Sequence, residues 1–300
     1  MVDRPDTAAL LAEAAGRSFA FIVGWPVKHS RSPLLHGFWL KEHSIEGHYG
    51  RLAVAPGGPA LRATFDFIRA TAHARGCNLT LPHKIDALAL LDRLTPAARR
   101  IGAVNTVVKQ PDGSLLGDNT DAFGFIEALR TGAPHWQPAA APAVVLGAGG
   151  AARAVVSALV DAGVPETRLV NRTRQTAIDL ATRFVPGDGR TVVIDDWSRR
   201  AAALAGAGLL VNTTSLGMDG QPPLELALDA LPRTAVVNDA VYVPLRTDLL
   251  RRAAARGNRT VDGLDMLLHQ GRPGFAAWFG CEQPAVTPAL RRAVAGDLGA

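Results

Sequence analysis

Residues 142–172 of this 300-residue chain hold a complete folding unit. Ala143-Val144-Val145-Leu146 is a short apolar run, Gly147, Gly149 and Ala152 follow at G-x-G-x-x-A spacing, residues 151–162 form a small-residue helix ended by Gly163, and Leu169-Val170 is a second apolar run. Strand, glycine turn, helix and strand within about 30 residues make a mononucleotide-binding β-α-β unit. Each small residue has a mechanical task. Gly147 allows a tight turn, Gly149 lets an anion approach the backbone, and Ala152 keeps helix and strand close, while the helix N-terminus presents unpaired N–H groups to a pyrophosphate.

The second strand ends in Asn171-Arg172-Thr173-Arg174, where dinucleotide folds place an acid for the ribose 2′-hydroxyl. A carboxylate there would repel a 2′-phosphate, whereas a guanidinium pairs with it by charge-assisted hydrogen bonds. The exchange points to NADP, with Arg172 the first candidate for the phosphate clamp. Arg174 is a second candidate and reads equally well as a surface arginine.

The length fits two domains. Apolar runs at 20–24, 48–54 and 76–79 alternate with helical segments, which predicts an α/β fold with mostly parallel sheets. Ser32 followed by Pro33 predicts an N-cap with proline at the first helical position, and Pro82 predicts a helix starting directly after Thr80-Leu81. Pro111-Asp112-Gly113 predicts a hairpin between 103–109 and 114–116, and a helix is expected over 121–130. The Pro/Ala/Gly-rich stretch 131–142 is the compositional candidate for a domain junction.

Apolar stretches break well short of the ~18 residues of a membrane span, and the N-terminus lacks a basic-then-apolar leader, so a cytoplasmic protein without membrane partners is expected. Cys77 and Cys281 have no metal-ligand spacing, and no metal is expected. The net charge of +5 comes from isolated arginines or Arg-Arg pairs interleaved with acids. Without a basic stripe, nucleic acid is not an expected partner, and small anionic ligands account for the charge.

Four polar clusters carry the chemistry: 29–33, 78–84, 102–106 and 117–121. Lys84 weighs most among them. The chain is arginine-rich and has four lysines, Lys28, Lys41, Lys84 and Lys109. Arginine does not lose its proton in a protein, whereas a lysine exchanges one with substrate when its pKa is tuned. A lysine in a first helical turn also opposes the helix dipole, although an exposed amphipathic position would explain it too. Asp121 is its natural partner. Asn78, Thr80 and Asn105 beside apolar strands need hydrogen-bond partners if buried, as does Ser30, and a polyhydroxylated substrate would supply them.

These clusters resemble those of the shikimate dehydrogenases of the aromatic amino-acid pathway, over about residues 21–280. The motifs are Gly24-Trp-Pro-Val-Lys-His-Ser-Arg-Ser-Pro33, Asn78-Leu-Thr-Leu-Pro-His-Lys84, Gly102-Ala-Val-Asn-Thr106, Gly117-Asp-Asn-Thr-Asp121, Gly147-Ala-Gly-Gly-Ala151, Asn171-Arg-Thr173, Asn212-Thr-Thr-Ser215, and Asp239-Ala-Val-Tyr242 with Thr247. The resemblance implies a substrate-binding catalytic domain over 1–121, an NADP-binding Rossmann-like domain over 122–262, and a C-terminal helical segment over 263–300 packing on the first domain, with the active site between the domains. It implies that Lys84 and Asp121 form the catalytic pair, that Ser30 and Ser32 hold the substrate carboxylate, and that Thr80, Asn105 and Gln270 meet the ring hydroxyls, with Tyr242 near the substrate. Gly147, Ala148, Gly149, Gly150, Ala151, Asn171, Arg172, Thr173, Arg174 and Gly263 would bind the cofactor.

Two departures stand out. Asp265 occupies the place of a second glycine, and Gly271-Arg272 replace the small residues usual after the glutamine. The second basic residue of the phosphate clamp usually falls at the place of Thr176. The implied reaction is NADPH-dependent reversible reduction of 3-dehydroshikimate to shikimate by a monomer or homodimer. Members that favour quinate resemble Ser-x-Thr at the carboxylate pair, where this chain has Ser30-Arg31-Ser32. The alternatives are a quinate/shikimate enzyme using NAD, another NADP-dependent α/β dehydrogenase, and a noncatalytic NADP- or metabolite-binding module.

Overall fold

The computed structural model describes residues 6–184, 190–296 and 298; residues 1–5, read above for a leader signal, lie outside the described residues. The chain divides into two compact units, Met1–Thr120 with Gln270–Val294, and Asp121–His269 with Ala295–Ala300.

The first unit runs α1 (Ala8–Ala14), β1 (Ser18–Gly24), α2 (Ser32–Glu42), β2 (Gly47–Ala53), α3 (Gly58–Ala70), β3 (Ala74–Leu79), β4 (Arg93–Leu94), α4 (Pro96–Ile101), β5 (Thr106–Lys109) and β6 (Leu115–Asp118). Its sheet has the order β2-β1-β3-β5-β6-β4. β1 pairs in parallel with β2 and β3, while β5 is antiparallel to both β3 and β6. The β5–β6 hairpin forms at the predicted Pro-Asp-Gly turn, closed by Gln110 N–H donating to Ser114 O at 2.8 Å. β1 is buried along nearly all its length, as expected of a strand covered on both faces. α3 contributes Leu61, Phe65 and Ile68 to the core at helical spacing.

The second unit contains α5 (Asp121–Gly132), β7 (Ala143–Leu146), α6 (Gly150–Asp161), β8 (Glu166–Asn171), α7 (Arg174–Ala181), β9 (Thr191–Asp196), β10 (Leu209–Asn212), β11 (Val236–Asp239), α8 (Asp248–Ala255) and β12 (Arg259–Val261), then the start of α9 (Gly263–Phe279); the C-terminal helix is α10 (Pro288–Ala295). All six strands are parallel, in the order β12-β11-β10-β7-β8-β9. This is the doubly wound Rossmann order, and its switch point lies between β7 and β10. Side chains alternate between the two faces. Val145, Leu169, Leu209 and Val211 enter one apolar core, and Val144, Leu146, Val170 and Leu210 enter the other.

The structure corrects three local expectations. Pro82 starts no α-helix: a turn closed by His83 N–H to Thr80 O (3.0 Å) leads into a short 3₁₀ segment, Asp86–Ala89. The Lys84 carbonyl accepts from Val104 N–H at 2.7 Å and is unavailable to a helical ladder. Second, α2 begins at Ser32 itself, with Arg31 at the cap position and no side-chain cap bond. Third, the junction-like stretch 131–142 lies inside the second unit, where Ala133 and Trp136 pack against its core. The division falls instead at Thr120/Asp121 and within α9. Among the described residues no helix is long and apolar enough to cross a membrane.

Candidate active site

The first unit gathers Ser30, Ser32, Thr80, Lys84, Asn105 and Gln270. Released from capping, Ser32 sits buried at the head of α2, and Ser30 Oγ donates to its hydroxyl at 3.3 Å. Thr80 and Lys84, both half-buried, occupy the turn after β3, where Thr80 N–H donates to Val23 O at 2.9 Å. Asn105 lies at the entry to β5 and is buried. Its amide Nδ2 donates to Thr120 Oγ1 and Gln270 Oε1, both at 3.0 Å, and its Oδ1 accepts from Thr120 N–H at 2.8 Å. Asn78 Nδ2 donates to Asn105 O (3.1 Å) and Thr106 Oγ1 (3.2 Å), and its Oδ1 accepts the Tyr49 hydroxyl at 2.6 Å. The amides that sequence reasoning left in need of partners therefore have partners within the protein.

Beneath this network lies an aromatic box. His36 of α2 stacks on Tyr49 with ring centroids 4.0 Å apart and planes at 19°, and Trp39, Phe275 and Trp278 close around it. Burial pushes the His36 pKa down to about 3, so the ring is neutral, and burial drives the Tyr49 hydroxyl well above its ordinary range. Trp278 Nε1 donates to Val107 O at 2.9 Å, tying the second half of α9 to β5.

The second unit holds Asp121, Tyr242, Gly263 and the nucleotide motif. Asp121 opens α5, where an acid favours the helix N-terminus. Gly147 has φ +103°, and a Cβ there would lie 2.7 Å from Thr213 Oγ1, across the switch point. A Cβ on Gly149 would meet no protein atom within 4 Å, so packing does not explain this glycine. Gly150 and Ala151 open α6 behind Gly149, with no side-chain cap on the first N–H groups, and Ala148 is buried in the turn. This turn fits a pyrophosphate. Asn171 Nδ2 donates to Thr173 O at 2.8 Å, shaping the loop that exposes Arg172. Arg174 is engaged by Asp196 at 2.8 Å, whereas no carboxylate among the described residues pairs with Arg172.

Asp239, at the end of β11, is fully buried. It accepts from Asn212 Nδ2 (2.9 Å), Val241 N–H (3.1 Å) and Thr247 Oγ1 (2.7 Å). Burial raises its carboxyl pKa to about 6 despite these bonds. Gly263 approaches this loop so closely that a Cβ would sit 2.3 Å from Ala240 O.

The family model for the shikimate dehydrogenase substrate binding domain matches residues 22–107. The shikimate dehydrogenase (NADP(+)) of Paramagnetospirillum magneticum is 58% identical over 91% of this chain and 96% of that protein. The chain belongs to the shikimate dehydrogenase family. Among solved structures, shikimate 5-dehydrogenase from Thermus thermophilus, in complex with NADP(H) and shikimate, superposes with a TM-score of 0.79 at 40% identity, covering 93% of this chain and 99% of that one. Quinate dehydrogenase from Corynebacterium glutamicum, in complex with NAD, superposes with a TM-score of 0.84 at 31% identity, covering 92% and 98%.

Within this shikimate dehydrogenase family member the two departures have local physical reasons. Asp265 stands in the first turn of α9, where a negative charge complements the helix dipole. A Cβ on Gly271 would lie 2.8 Å from Leu35 Cδ2 and 3.3 Å from Trp39, so glycine lets α9 close on α2, and Arg272 Nε donates to Pro284 O at 2.8 Å. Sequence reasoning missed Tyr49, and it quoted Asp239, Thr247 and Asn212 in motifs without assigning the carboxyl a role. Tyr49 had one available signal, being one of only two tyrosines in the chain.

Proposed function

We propose that this protein catalyses the reversible reduction of 3-dehydroshikimate to shikimate with NADPH. The observation that carries the reading is the linked hydroxyl pair Ser30 and Ser32 at the head of α2, in a chain 58% identical to a shikimate dehydrogenase (NADP(+)) over nearly its whole length. The hydroxyls would donate to the substrate carboxylate. Thr80, Asn105 and Gln270 would meet the ring hydroxyls, with Tyr242 beside the ring. An entering hydroxyl would take the place of Gln270 Oε1 on the Asn105 amide.

Gly147–Ala151 would hold the pyrophosphate and Arg172, with Asn171 and Thr173, the 2′-phosphate, while Arg174 would have to leave Asp196 to contribute. Gly263 would lie beside the nicotinamide. When bound, NADPH would supply the hydride to the ketone carbon. The chain's own contribution is the proton: Lys84 Nζ–H₃⁺ gives one to the carbonyl oxygen, becomes a neutral amine and recovers it from solvent. Asp121 would be the acidic partner of that lysine in the catalytic pair. In oxidation Lys84 accepts the alcohol proton.

A second reading, quinate oxidation with NAD, is favoured by the fold likeness to the quinate dehydrogenase, which is no lower than that to the shikimate enzyme. The residues oppose it. Ser32 is not threonine, Arg172 is not an acid, and quinate would bring an extra hydroxyl against the serine pair. Leaving one buried polar group unpaired costs about 1–3 kcal/mol, so kcat/KM should favour shikimate over quinate by roughly fivefold to over a hundredfold. The test is NADPH absorbance with 3-dehydroshikimate, followed by oxidation of both acids with NADP⁺ and NAD⁺. Equal values for the acids would favour the dual-substrate reading, and a folded protein that turns over neither would favour a binding module.

A further inference from the structure

Tyr49 and Arg51 stand two residues apart on β2 and so share a face of the sheet. Each supports a different part of the serine loop. Tyr49 is fixed by its stack on His36 and hydrogen-bonds Asn78 and Ser32. Arg51 Nη2 donates to the Ser30 carbonyl at 2.9 Å. That bond uses one of the five N–H donors of a planar guanidinium and fixes the group beside Ser30. Arg51 is exposed, and no carboxylate among the described residues pairs with it. Two other arginines of the same unit differ, Arg69 being held by Asp66 and Asp92 and Arg93 by Asp112.

An uncompensated positive charge is thus anchored at the place where Ser30 and Ser32 offer only neutral hydroxyls. Hydroxyls orient a carboxylate but do little to select it over an ester, whose oxygens also accept. A hydrogen-bonded cation discriminates by charge. We propose that Arg51 is a specificity-determining residue, supplying the positive charge by which the Ser30–Ser32 site selects a carboxylate over its uncharged ester. The inference rests on the shikimate reading and adds the residue that reads the charge of the acid. Lys28 lies on the serine loop, with no such anchor among the described residues, and serves to separate a fixed contact from general positive potential.

Binding of shikimate and of its methyl ester to the intact chain is measured by calorimetry for wild type, Arg51→Gln, Arg51→Lys and Lys28→Gln. Arg51→Gln should weaken shikimate about fivefold, the upper end for a solvent-accessible ion pair, and leave the ester unchanged. Arg51→Lys should retain most of the preference for the acid, and Lys28→Gln should lose less of it than Arg51→Gln. In turnover, the KM for shikimate should rise with kcat and the KM for NADP⁺ unchanged, and added salt should weaken wild type more than Arg51→Gln. Equal losses for acid and ester would make Arg51 a scaffold of the serine loop and overturn the proposal, as would no loss, or an equal effect from Lys28→Gln. A wild-type protein that binds shikimate without oxidising it refutes the dehydrogenase reading while the binding series still decides the role of Arg51. One that binds neither compound overturns both.

Discussion

Asp239→Asn tests whether a buried carboxyl at the end of β11 holds its proton to unusually high pH. The displacement from 3.8 to about 6, caused by burial, corresponds to ~3 kcal/mol between the protonation states. The folded chain binds this proton more tightly than the unfolded one. Between pH ~4 and ~6 the unfolded state ionises first, so this group's contribution to stability falls as pH rises and is then flat. Asparagine has no such titration. Its Oδ1 can keep the bonds from Asn212 and Val241, and its amide can donate to Thr247 Oγ1, which reverses as a hydroxyl can. Relative to wild type, Asp239→Asn should therefore gain on the order of 2–3 kcal/mol between pH ~4 and ~6. The assay is urea unfolding of both proteins across that range, read as the difference at each pH. Asp92 shifts oppositely, its carboxyl lowered by the Leu115 N–H, but it is common to both proteins and cancels. A difference that stays constant with pH would refute the reasoning and place Asp239 among ordinary ionised carboxylates.

Lys84→Met should lower kcat by ~10²–10⁴ without weakening NADPH, and Lys84→Arg should not restore it, because arginine keeps the charge but not a usable proton; a near-normal kcat in stopped-flow turnover would remove Lys84 from the chemistry. Arg172→Ala should weaken NADPH by about 1.5–3 kcal/mol relative to NADH, roughly tenfold or more in fluorescence titration. Equal losses for both cofactors would mean the 2′-phosphate is not read there and would turn attention to Arg174. Gly263→Ala drives a Cβ into the Ala240 carbonyl and should lower stability by ~1–3 kcal/mol, seen as a lower Tm, with an unchanged Tm showing that α9 yields at no cost.

The β-α-β unit was legible because every constraint in it is local: glycine spacing, an apolar run on each side, and a helix of small residues. The hairpin at Pro111-Asp112-Gly113 was legible for the same reason. What escaped was the identity of partners remote in sequence. Asn105 looked like an amide waiting for a substrate, but its partners are Thr120, fifteen residues on, and Gln270, 165 residues on. No periodicity in the chain announces such pairs. Tyr49 and Arg51 were missed because alternation along a strand indicates which side chains share a face and says nothing of what faces them.

The structure gives Lys84 a different setting from the one its sequence suggests. Its predicted helical turn, with an adverse dipole, does not exist, since its carbonyl is committed to Val104. Rarity alone does not single out Lys84, because Lys109 donates to Arg69 O at 2.9 Å and Thr71 O at 3.0 Å at the end of α3, a structural use needing no proton exchange. What distinguishes Lys84 is that its main chain is fixed on both sides, by the Thr80–His83 turn and by Val104, next in sequence to Asn105. A half-buried ammonium on a flexible stem but a fixed backbone can meet a bound oxygen reproducibly, and that condition, not scarcity, makes it the candidate acid.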